Sequence, residues 1–354
     1  MASLEGTAHG TYRVRYRDPV GRSRSRTFKR RADATRFAHE VETDKQRGDW
    51  VDPRLGRATV RDWSERWFDT ATIAPKTRHS YKGFLNNWVL PMLGDVPIAT
   101  LDRVTVREFA AAIARQRSPA TVEQAVNVLR LVLGYAEEAG AIKANPATRL
   151  RLPKAQRREM YFLTPAQVRS LADAMPYEQY GTLVLFAAYT GLRAGEVEGL
   201  RVKRLDLERG RVDVVETVGE VGGALRWGPT KTYQRRSVPF PRGLRAPLGE
   251  LVAGKGPDET VFEAPGGGPI RHHNWYRRIF KPAVVRAGLP PEIRFHDLRH
   301  TSAALLIQLG AHPRAIMERL GHSTINVTLG TYGHLFPHLD AQLTEGMEQL
   351  LVGE

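Results

Sequence analysis

The second half of the chain carries arginine, lysine, histidine and tyrosine in several short patterns, with few carboxylates beside them. Cationic side chains can bind the non-bridging oxygens of a phosphodiester, a tyrosine hydroxyl can attack phosphorus, and histidines can donate and accept protons. Residues of these types are suited to phosphodiester chemistry without a metal ion. They lie in four segments, 189–197, 229–232, 296–300 and 320–334.

The first two segments each offer a cation. Gly191 permits a tight turn that can aim Arg193 inward, and Glu196 is three residues on, able to orient it. Lys231 lies within the stretch Gly210–Phe240, which reads as β-strands, and we expect it at a hairpin tip. Taken singly, an exposed loop arginine and a solvated turn lysine are the commoner explanations.

The last two segments offer acid–base groups and a nucleophile. His296 and Arg299 are three residues apart, so on a helix both side chains can reach one point. A Leu-Gly-His sequence ends a helix and places His322 directly after it, and Tyr332 follows ten residues later. Each pattern is weak alone, and an isolated Tyr332 is more typical of a packed core aromatic.

Signatures of metal and nucleotide sites are missing from the sequence. It contains no HExxH, GxxxxGK[ST] or GxSxG pattern, and no GxGxxG that follows a strand. His272 and His273 are adjacent and cannot share one helix face as two ligands would. Cysteine is absent, which excludes disulfides, thiolate metal sites and a cysteine nucleophile, and which fits a reducing cytoplasm. We therefore predict neither metal nor cofactor.

The overall charge predicts a polyanionic partner. Lys and Arg number 53 against 38 Asp and Glu, a formal net charge of +15, which attracts phosphate backbones and makes binding salt-dependent. Composition alone does not separate binders of DNA, RNA and ribosomes. Apolar residues make up 42% of the chain, enough for a sizeable core, yet no apolar run is long enough to span a membrane or to form a secretory signal.

The N-terminal segment is predicted to form a small basic sheet followed by a helix. Residues 11–17 alternate strictly, with Tyr12, Val14 and Tyr16 on one face, and residues 22–28 alternate again after a turn. An arginine face on such a sheet can read a DNA groove, although a solvated outer face is the alternative. The arginines assigned to DNA contact are Arg13, Arg15, Arg17, Arg22, Arg24 and Arg26.

Helical periodicity dominates the segment from about residue 60 to 147, and a short basic linker follows it. In a protein that encircles DNA, Lys154, Arg157 and Arg158 of that linker would lie against a backbone. Near the C-terminus, apolar residues recur at helical spacing: Leu339, Leu343, Met347 and Leu350.

Taken together, the ordered chemical patterns resemble the tyrosine recombinases, the phage-integrase family. Residues 77–101 and 140–146 resemble the family's helical core-binding domain, and the basic sheet resembles the arm-type DNA-binding domain of phage and integrative-element integrases. The resemblance implies a multidomain, mainly α fold with small β-sheets. Its parts are an arm-type domain at 1–55, a helical SAM-like core-binding domain at 58–147, a linker at 148–160, a mixed α+β catalytic domain at 161–338 and a C-terminal helix at 339–354.

The same resemblance implies a role for each chemical residue. Tyr332 would attack a scissile phosphate, giving a 3′-phosphotyrosyl bond and a free 5′-hydroxyl, and Arg193 and Arg299 would hold the non-bridging oxygens. The remaining roles are Lys231 as proton donor to the leaving 5′-oxygen, His296 as general base on the tyrosine, His322 as hydrogen-bonding partner of the phosphate, and Glu196 as support for Arg193. All six catalytic positions match the family pattern, so we expect an active enzyme that needs no ATP or metal.

The expected partners are double-stranded DNA attachment sites of core and arm type, bound by a homotetramer. A DNA-bending host factor and a directionality factor are further expected partners, at the bacterial nucleoid in the cytoplasm. We also expect the C-terminal helix to dock on the neighbouring protomer through Leu343 and Leu350.

Three alternatives remain at this point. A chromosome-dimer resolving recombinase of the same family typically lacks the basic N-terminal sheet. A non-catalytic DNA-binding regulator on the same scaffold would not need the intact set of six residues. A type IB topoisomerase has similar chemistry, and plasmid relaxation compared with recombination would separate the two.

Overall fold

The computed structural model describes residues 2–17, 21, 23–47, 54–153, 159–231, 234–336 and 340–352, without the side chains of 44–47, 340–343 and 346. The chain divides into two compact units, Met1–Arg157 and Arg158–Glu354. Helices predominate and the sheets are small and antiparallel, which confirms the predicted fold class. Four residues assigned to DNA contact lie outside the described residues: Arg22, Lys154, Arg157 and Arg158.

The N-terminal residues form a three-stranded antiparallel sheet with one helix. The strands, in the order β1-β2-β3, are β1 (Ser3–Gly6), β2 (Tyr12–Arg17) and β3 (Ser23–Phe28), and the helix is α1 (Arg31–Arg47). The alternation in β2 buries Val14 and Tyr16 against Ala34 and Val41 of α1. This small apolar layer sets which face of the sheet is left for solvent.

The predicted arginine face is wrong in one respect, because the arginines of β2 and β3 lie on opposite faces. Residues paired across antiparallel strands share a face, and Arg24 and Arg26 pair with the buried Tyr16 and Val14. Arg26 accordingly stacks on Phe28 and Phe37, with its guanidinium carbon 5.1 and 5.0 Å from the ring centroids. The outer face is therefore the one that carries Arg13, Arg15 and Arg17, all exposed.

The rest of this unit is helical, as predicted. The helices are α2 (Val60–Thr70), α3 (Pro75–Phe84), α4 (Leu90–Leu93), α5 (Arg103–Ala114) and α6 (Pro119–Glu138). Thr59 forms a capping box with Asp62 at the start of α2, and Pro119 occupies the first turn of α6. Trp63, Phe109 and the apolar stripe of α6 are buried together, so the aromatics of this segment serve the core.

The second unit surrounds a larger core with helices and short strands. Its helices are α7 (Pro165–Asp173), α8 (Glu178–Thr190), α9 (Ala194–Glu198), α10 (Arg245–Val252), α11 (His272–Trp275), α12 (Lys281–Arg286), α13 (Asp297–Gln308), α14 (Pro313–Leu320), α15 (Ile325–Tyr332) and α16 (Asp340–Val352). Its strands are β4 (Leu205–Asp206), β5 (Arg211–Val214), β6 (Glu216–Val221), β7 (Ala224–Pro229) and β8 (Arg236–Pro239). They form a sheet of order β4-β5-β8 and a separate hairpin of β6 and β7.

Helix α8 lies in the middle of this core and explains why the site residues are held firmly. Tyr180, Leu183 and Phe186 are fully buried along it, and α8 ends at Gly191, directly before Arg193. Helix α13 packs on α8, and α14 and α15 continue from it. The functional segments are thus the ends of buried helices and the turns that follow them.

The final helix, α16, leaves several apolar side chains uncovered. Met347 is 67% exposed, Leu350 79% and Leu351 80%. Leu339 and the side chain of Leu343 lie outside what is described, so the predicted stripe is seen only in its second half. Among the described helices, none combines the length and the apolar character needed to cross a membrane.

Candidate active site

Three arginines from distant parts of the second unit meet at the carboxyl end of α14. The last carbonyls of a helix have no partner within it and carry partial negative charge, so they attract cations. Here three consecutive carbonyls each accept a hydrogen bond from a different guanidinium. The pairs are Arg236 with the oxygen of Arg319 (3.0 Å), Arg299 with that of Leu320 (2.6 Å) and Arg193 with that of Gly321 (2.9 Å).

Two glycines make this meeting point possible. Gly191 and Gly321 each follow a helix in the left-handed conformation, with φ of 71° and 66°. A Cβ at Gly191 would lie 2.4 Å from Cδ2 of Leu320, and one at Gly321 would lie 2.9 Å from a guanidinium nitrogen of Arg236. Both positions therefore need glycine for space as well as for backbone conformation.

Arg299 is the most enclosed of the three arginines. It is 3% exposed and donates a second hydrogen bond, of 2.6 Å, to the carbonyl oxygen of Gly191. Burial, followed by the charge of Arg193, lowers the pKa of Arg299 to about 9, which leaves it charged at neutral pH. Its guanidinium ties the turn before Arg193 to the turn before His322.

Arg193 and Glu196 adopt the relation that their spacing predicts. Arg193 is the N-cap of α9, and Glu196 accepts hydrogen bonds from its backbone NH (2.9 Å) and from its guanidinium (3.1 Å). Glu196 is almost fully buried; burial alone would raise its pKa, but the hydrogen bonds and charges of Arg236 and Arg193 hold the pKa below its usual value. Arg236 binds the same carboxylate at 2.6 and 3.1 Å.

His296 lies just before α13, not inside it as the i, i+3 argument assumed. It is the N-cap residue in a helical conformation, and its carbonyl accepts the backbone NH of Arg299 at 3.0 Å, so the two still occupy neighbouring positions. The His296 side chain keeps more than a third of its surface exposed. The pKa of His296 is lowered, first by desolvation against the surrounding protein and then by the charges of His300 and Arg299. The contact of the side chain with solvent limits this effect.

His322 follows Gly321 and is partly buried beside the arginines. Its Nδ1 lies 2.8 Å from the hydroxyl oxygen of Thr328, which orients the ring. Burial and the charges of Arg299 and Arg193 lower the pKa of His322 to about 4, so the ring is neutral at neutral pH. The ring is nearly parallel to that of Tyr332, with centroids 6.3 Å apart.

Tyr332 is the last residue of α15 and is only 1% exposed. It packs among Ala303, Ile307 and Leu320, and its hydroxyl oxygen lies 2.9 Å from Nδ1 of His300. Burial raises the pKa of Tyr332, and the nearby charge of Arg299 opposes this in part. The hydroxyl is therefore protonated and shielded from bulk water.

Lys231 is the one residue of the predicted six that the structure does not join to the others. The prediction of a hairpin tip at Lys231 is wrong: the tip of the β6–β7 hairpin is Gly222-Gly223, and Lys231 follows β7 on the way to β8. It is exposed, and within the described residues it has no hydrogen bond or ion pair. The other five residues share the end of α14 and the adjoining turns.

In the parts of the chain that the structure describes, no three His, Asp or Glu side chains come together as a metal-binding group. The polar side chains at this site are chiefly cationic or neutral, which suits an anionic ligand.

Comparison with known proteins identifies the chain. A family model described as "Phage integrase family" matches residues 161–338, and a second model, described as "Phage integrase central domain", matches residues 57–152. The chain belongs to the phage integrase family. It is a tyrosine recombinase, an enzyme class that breaks and rejoins DNA strands.

Relatives and solved structures agree with this membership. The integrase of Mycobacterium phage D29 is 28% identical over 340 residues, covering 91% of this chain and 90% of that protein. The integrase of Mycobacterium phage FRAT1 is 30% identical over 274 residues, covering 75% of this chain and 81% of that protein. Two solved structures share the fold. The Tn1549 transposon integrase in complex with circular intermediate DNA has a TM-score of 0.71 and 20% sequence identity, covering 82% of this chain and 99% of that one. A lambda integrase tetramer bound to a Holliday junction has a TM-score of 0.61 and 19% identity, covering 91% of this chain and 95% of that one.

In this member of the family, two residues of the site are not among those expected from the sequence. Arg236 joins Glu196 to the end of α14, and His300 contacts the Tyr332 hydroxyl. Arg235 and Arg236 are adjacent at the start of β8, and nothing in the sequence marks which of the two is buried. The signal for His300 was stronger, since it stands directly after Arg299.

Proposed function

We propose that the protein is an integrase that inserts and excises a phage or mobile element by cutting DNA at attachment sites through Tyr332. The observation that carries this proposal is the arrangement at the end of α14, where Arg193 and Arg299 are fixed beside the segment that leads to Tyr332. Its relatives named integrases come from phages and from a mobile element of Bacillus subtilis, which supports the same assignment.

Arg193 and Arg299 are suited to hold the scissile phosphate. Each guanidinium has five N–H groups, and the bonds to carbonyls and to Glu196 use only some of them. Those bonds fix the planes of both guanidiniums before DNA binds, so the remaining N–H groups are oriented in advance. Those of Arg299, which is 3% exposed, meet phosphate oxygens once the neighbouring residues shift. Preorganised donors of this kind stabilise the charge that develops on phosphorus oxygens in the transition state.

The chemical step balances with groups of this chain. The Tyr332 hydroxyl gives its proton to a histidine of the site as its oxygen bonds to phosphorus, the bond from phosphorus to the 5′-oxygen breaks, and the 5′-oxygen takes a proton from Lys231. The 3′-phosphotyrosyl bond keeps the energy of the phosphodiester. A 5′-hydroxyl of a partner strand can therefore attack it, release Tyr332 and complete rejoining without ATP.

Attack requires a local rearrangement, because Tyr332 is only 1% exposed. A phosphate reaches its hydroxyl only after the neighbouring residues of α15 and the following turn shift. Lys231, exposed on the segment after β7, must likewise come to the 5′-oxygen when DNA binds.

The proposed function is tested with the DNA that flanks the protein's own gene. The wild-type protein is expected to form a covalent protein–DNA adduct there, and sequencing of the cleaved ends locates the scissile bonds. Tyr332→Phe should bind the same DNA with nearly unchanged affinity and form no adduct, because phosphate contacts supply the affinity and one hydroxyl supplies the nucleophile. An adduct at wild-type level from the Phe variant would exclude Tyr332 as nucleophile, and the lack of any adduct from the wild type would favour a non-catalytic regulator.

The N-terminal sheet supports a second, arm-type DNA contact. Its outer face carries Arg13, Arg15 and Arg17, opposed by a single acidic side chain, Glu5, which pairs with Arg15 at 3.4 Å. Deleting residues 1–55 should keep binding to the core site and remove binding to a second class of sequence. Identical footprints for the deleted and the intact protein would show that this segment reads no separate site.

The exposed apolar side chains of α16 support assembly into the tetramer. Met347 and Leu350 are 67% and 79% exposed, and a short helix of this kind needs a groove to bury such a stripe. The neighbouring protomer would supply that groove. Truncation before α16 should keep binding to a single site and impair synapsis, whereas a loss of monomer stability with intact synapsis would mean that α16 docks on its own protomer.

A further inference from the structure

His300 is a titratable group in direct contact with the proposed nucleophile. Its Nδ1 lies 2.9 Å from the Tyr332 hydroxyl oxygen, and the two rings meet edge to face with centroids 5.7 Å apart. His300 stands next to Arg299 on α13, so one turn of helix carries both a proposed phosphate-holding group and the partner of the nucleophile. Of the other five residues suggested by the sequence patterns, none has a hydrogen bond to the Tyr332 hydroxyl within the described residues.

The direction of the hydrogen bond follows from the protonation of the two groups. Burial raises the pKa of Tyr332, so the phenol keeps its proton at neutral pH. Burial, with the charges of Arg294 and Arg299 and against that of Asp297, lowers the pKa of His300, so its ring is neutral. A neutral imidazole has one nitrogen that accepts and one that donates. With the ring hydrogen on Nε2, Nδ1 accepts the hydrogen bond from the phenol, and this tautomer gives the buried phenol proton its partner within the described residues.

His296 is placed differently. Its side chain is more than a third exposed, and its ring meets that of His300 edge to face, with centroids 4.8 Å apart. His300 thus contacts both the other histidine and the tyrosine. Within the described residues, the hydrogen bond of the Tyr332 hydroxyl is to His300.

We propose that His300 is the general base of strand cleavage, with Nδ1 holding the Tyr332 hydroxyl and taking its proton as the tyrosine oxygen bonds to phosphorus. This inference rests on the proposed function. The proton leaves the phenol for Nδ1, the bond to phosphorus forms, and the bond to the 5′-oxygen breaks. In rejoining, the imidazolium returns the same proton to the departing tyrosine oxygen, so no other reactant is needed.

The test measures the rate of adduct formation on a duplex in which the wild-type scissile bond has been mapped. His300→Ala is expected to slow the reaction about 10²–10⁴-fold at saturating DNA, the usual contribution of a positioned base, with Kd little changed. Free imidazole should restore part of the rate, since it can enter the space left by the side chain. His300→Gln keeps an acceptor but no basic nitrogen, so it should be slow and should not respond to imidazole. His273→Ala, at an exposed histidine of α11 in the same unit, is the matched control and should be unaffected.

A second substrate separates the two proton transfers. In a duplex with sulfur in place of the 5′-bridging oxygen at the mapped bond, the leaving thiolate needs no proton, because thiols ionise near pH 8.5. Lys231→Ala should recover on this duplex, whereas His300→Ala should stay slow because it acts on the nucleophile. Recovery of His300→Ala together with Lys231→Ala would overturn the proposal and assign His300 to the leaving-group side.

Further outcomes of these measurements also decide whether His300 is the general base. Unchanged rates for His300→Ala, or faster ones, would make the contact a resting-state hold on Tyr332 and overturn the proposal. Imidazole rescue of His296→Ala but not of His300→Ala would return the base role to His296. Failure of the proposed function is recognised separately, because the wild type would then form no adduct or Tyr332→Phe would still form one.

Discussion

Arginines are the most prominent residues in two regions of this molecule, yet their surroundings differ. On the N-terminal sheet, Arg13, Arg15 and Arg17 are exposed and project from the outer face. At the end of α14, guanidiniums are partly or wholly buried and each donates to a backbone carbonyl. The first set can move and can meet a polyanion in many ways, whereas the second is held in one arrangement.

The difference shows what burial adds to a cation. An exposed arginine gives salt-dependent attraction that depends little on its exact position. A buried arginine whose donors are already engaged has lost most of its side-chain freedom before the ligand arrives, so its remaining donors act at fixed positions. Affinity should therefore depend on the first set and rate on the second.

The largest expected effect tests that division directly. Arg193→Ala and Arg299→Ala should each slow cleavage by about 10²–10³-fold or more, because they remove a fixed donor to charge that develops in the transition state. DNA affinity should fall much less, since it is shared among many phosphate contacts. The cleavage rate is measured as adduct formation at saturating DNA, and the DNA affinity is measured separately as Kd. A loss confined to Kd would make these ordinary backbone contacts.

Stability at the end of α14 gives the next largest effect. Arg236→Ala leaves the buried Glu196 without the partner at 2.6 Å, and such a loss costs about 3 kcal/mol of unfolding free energy. Arg235→Ala, at the exposed neighbouring position, should change it by less than about 0.5 kcal/mol. Urea unfolding of both variants supplies the comparison. Equal effects at the two positions would mean that the ion pair with Glu196 is unimportant.

The contrast between Arg235 and Arg236 also marks where sequence reasoning stops. Helix starts such as Pro119 and the alternation around Val14 were predictable, because they depend on neighbours along the chain. Which of two adjacent arginines is buried depends on the pairing of β8 with β5. Contacts between residues far apart in sequence are invisible to local periodicity, as with His300 and Tyr332.

Strand pairing explains two of the predictions that failed. The pattern of β3 gave the correct alternation, but its pairing with β2 turns Arg24 and Arg26 toward the helix. A shift of register by one residue would reverse that outcome, and the intervening turn decides it. The predicted hairpin tip at Lys231 was wrong for a related reason: β7 pairs with β6 and β8 pairs with β5, so the two strands on either side of Lys231 do not form a hairpin. The site motifs were predictable as a set because their order along the chain is distinctive, although their geometry was not.

A smaller effect concerns pH and separates the buried cluster from the exposed sheet. The pKa of His322 is lowered to about 4 by burial and nearby arginines, from its ordinary 6.5. Between these values the unfolded chain binds a proton that the native protein does not, so this contribution to stability is full above 6.5 and is lost as pH falls toward 4. His322→Asn should show a weaker fall in unfolding free energy between about pH 7 and pH 5. The same fall in both proteins would contradict the assignment.

The smallest effect compares the two faces of the N-terminal sheet. Arg15→Ser on the outer face should reduce the slope of log Kd against log salt by about 1 for arm-type DNA and leave stability within about 0.5 kcal/mol, because Arg15 is exposed and its ion pair with Glu5, at 3.4 Å, lies at the surface. Arg26→Ser should instead lower stability by about 0.5–1 kcal/mol through its lost contact with the Phe28 and Phe37 rings. Its salt slope should stay unchanged. Salt titrations of DNA binding give the slope for each variant, and urea unfolding gives its stability. An equal change of slope in the two variants would mean that the helix-facing arginines also reach DNA.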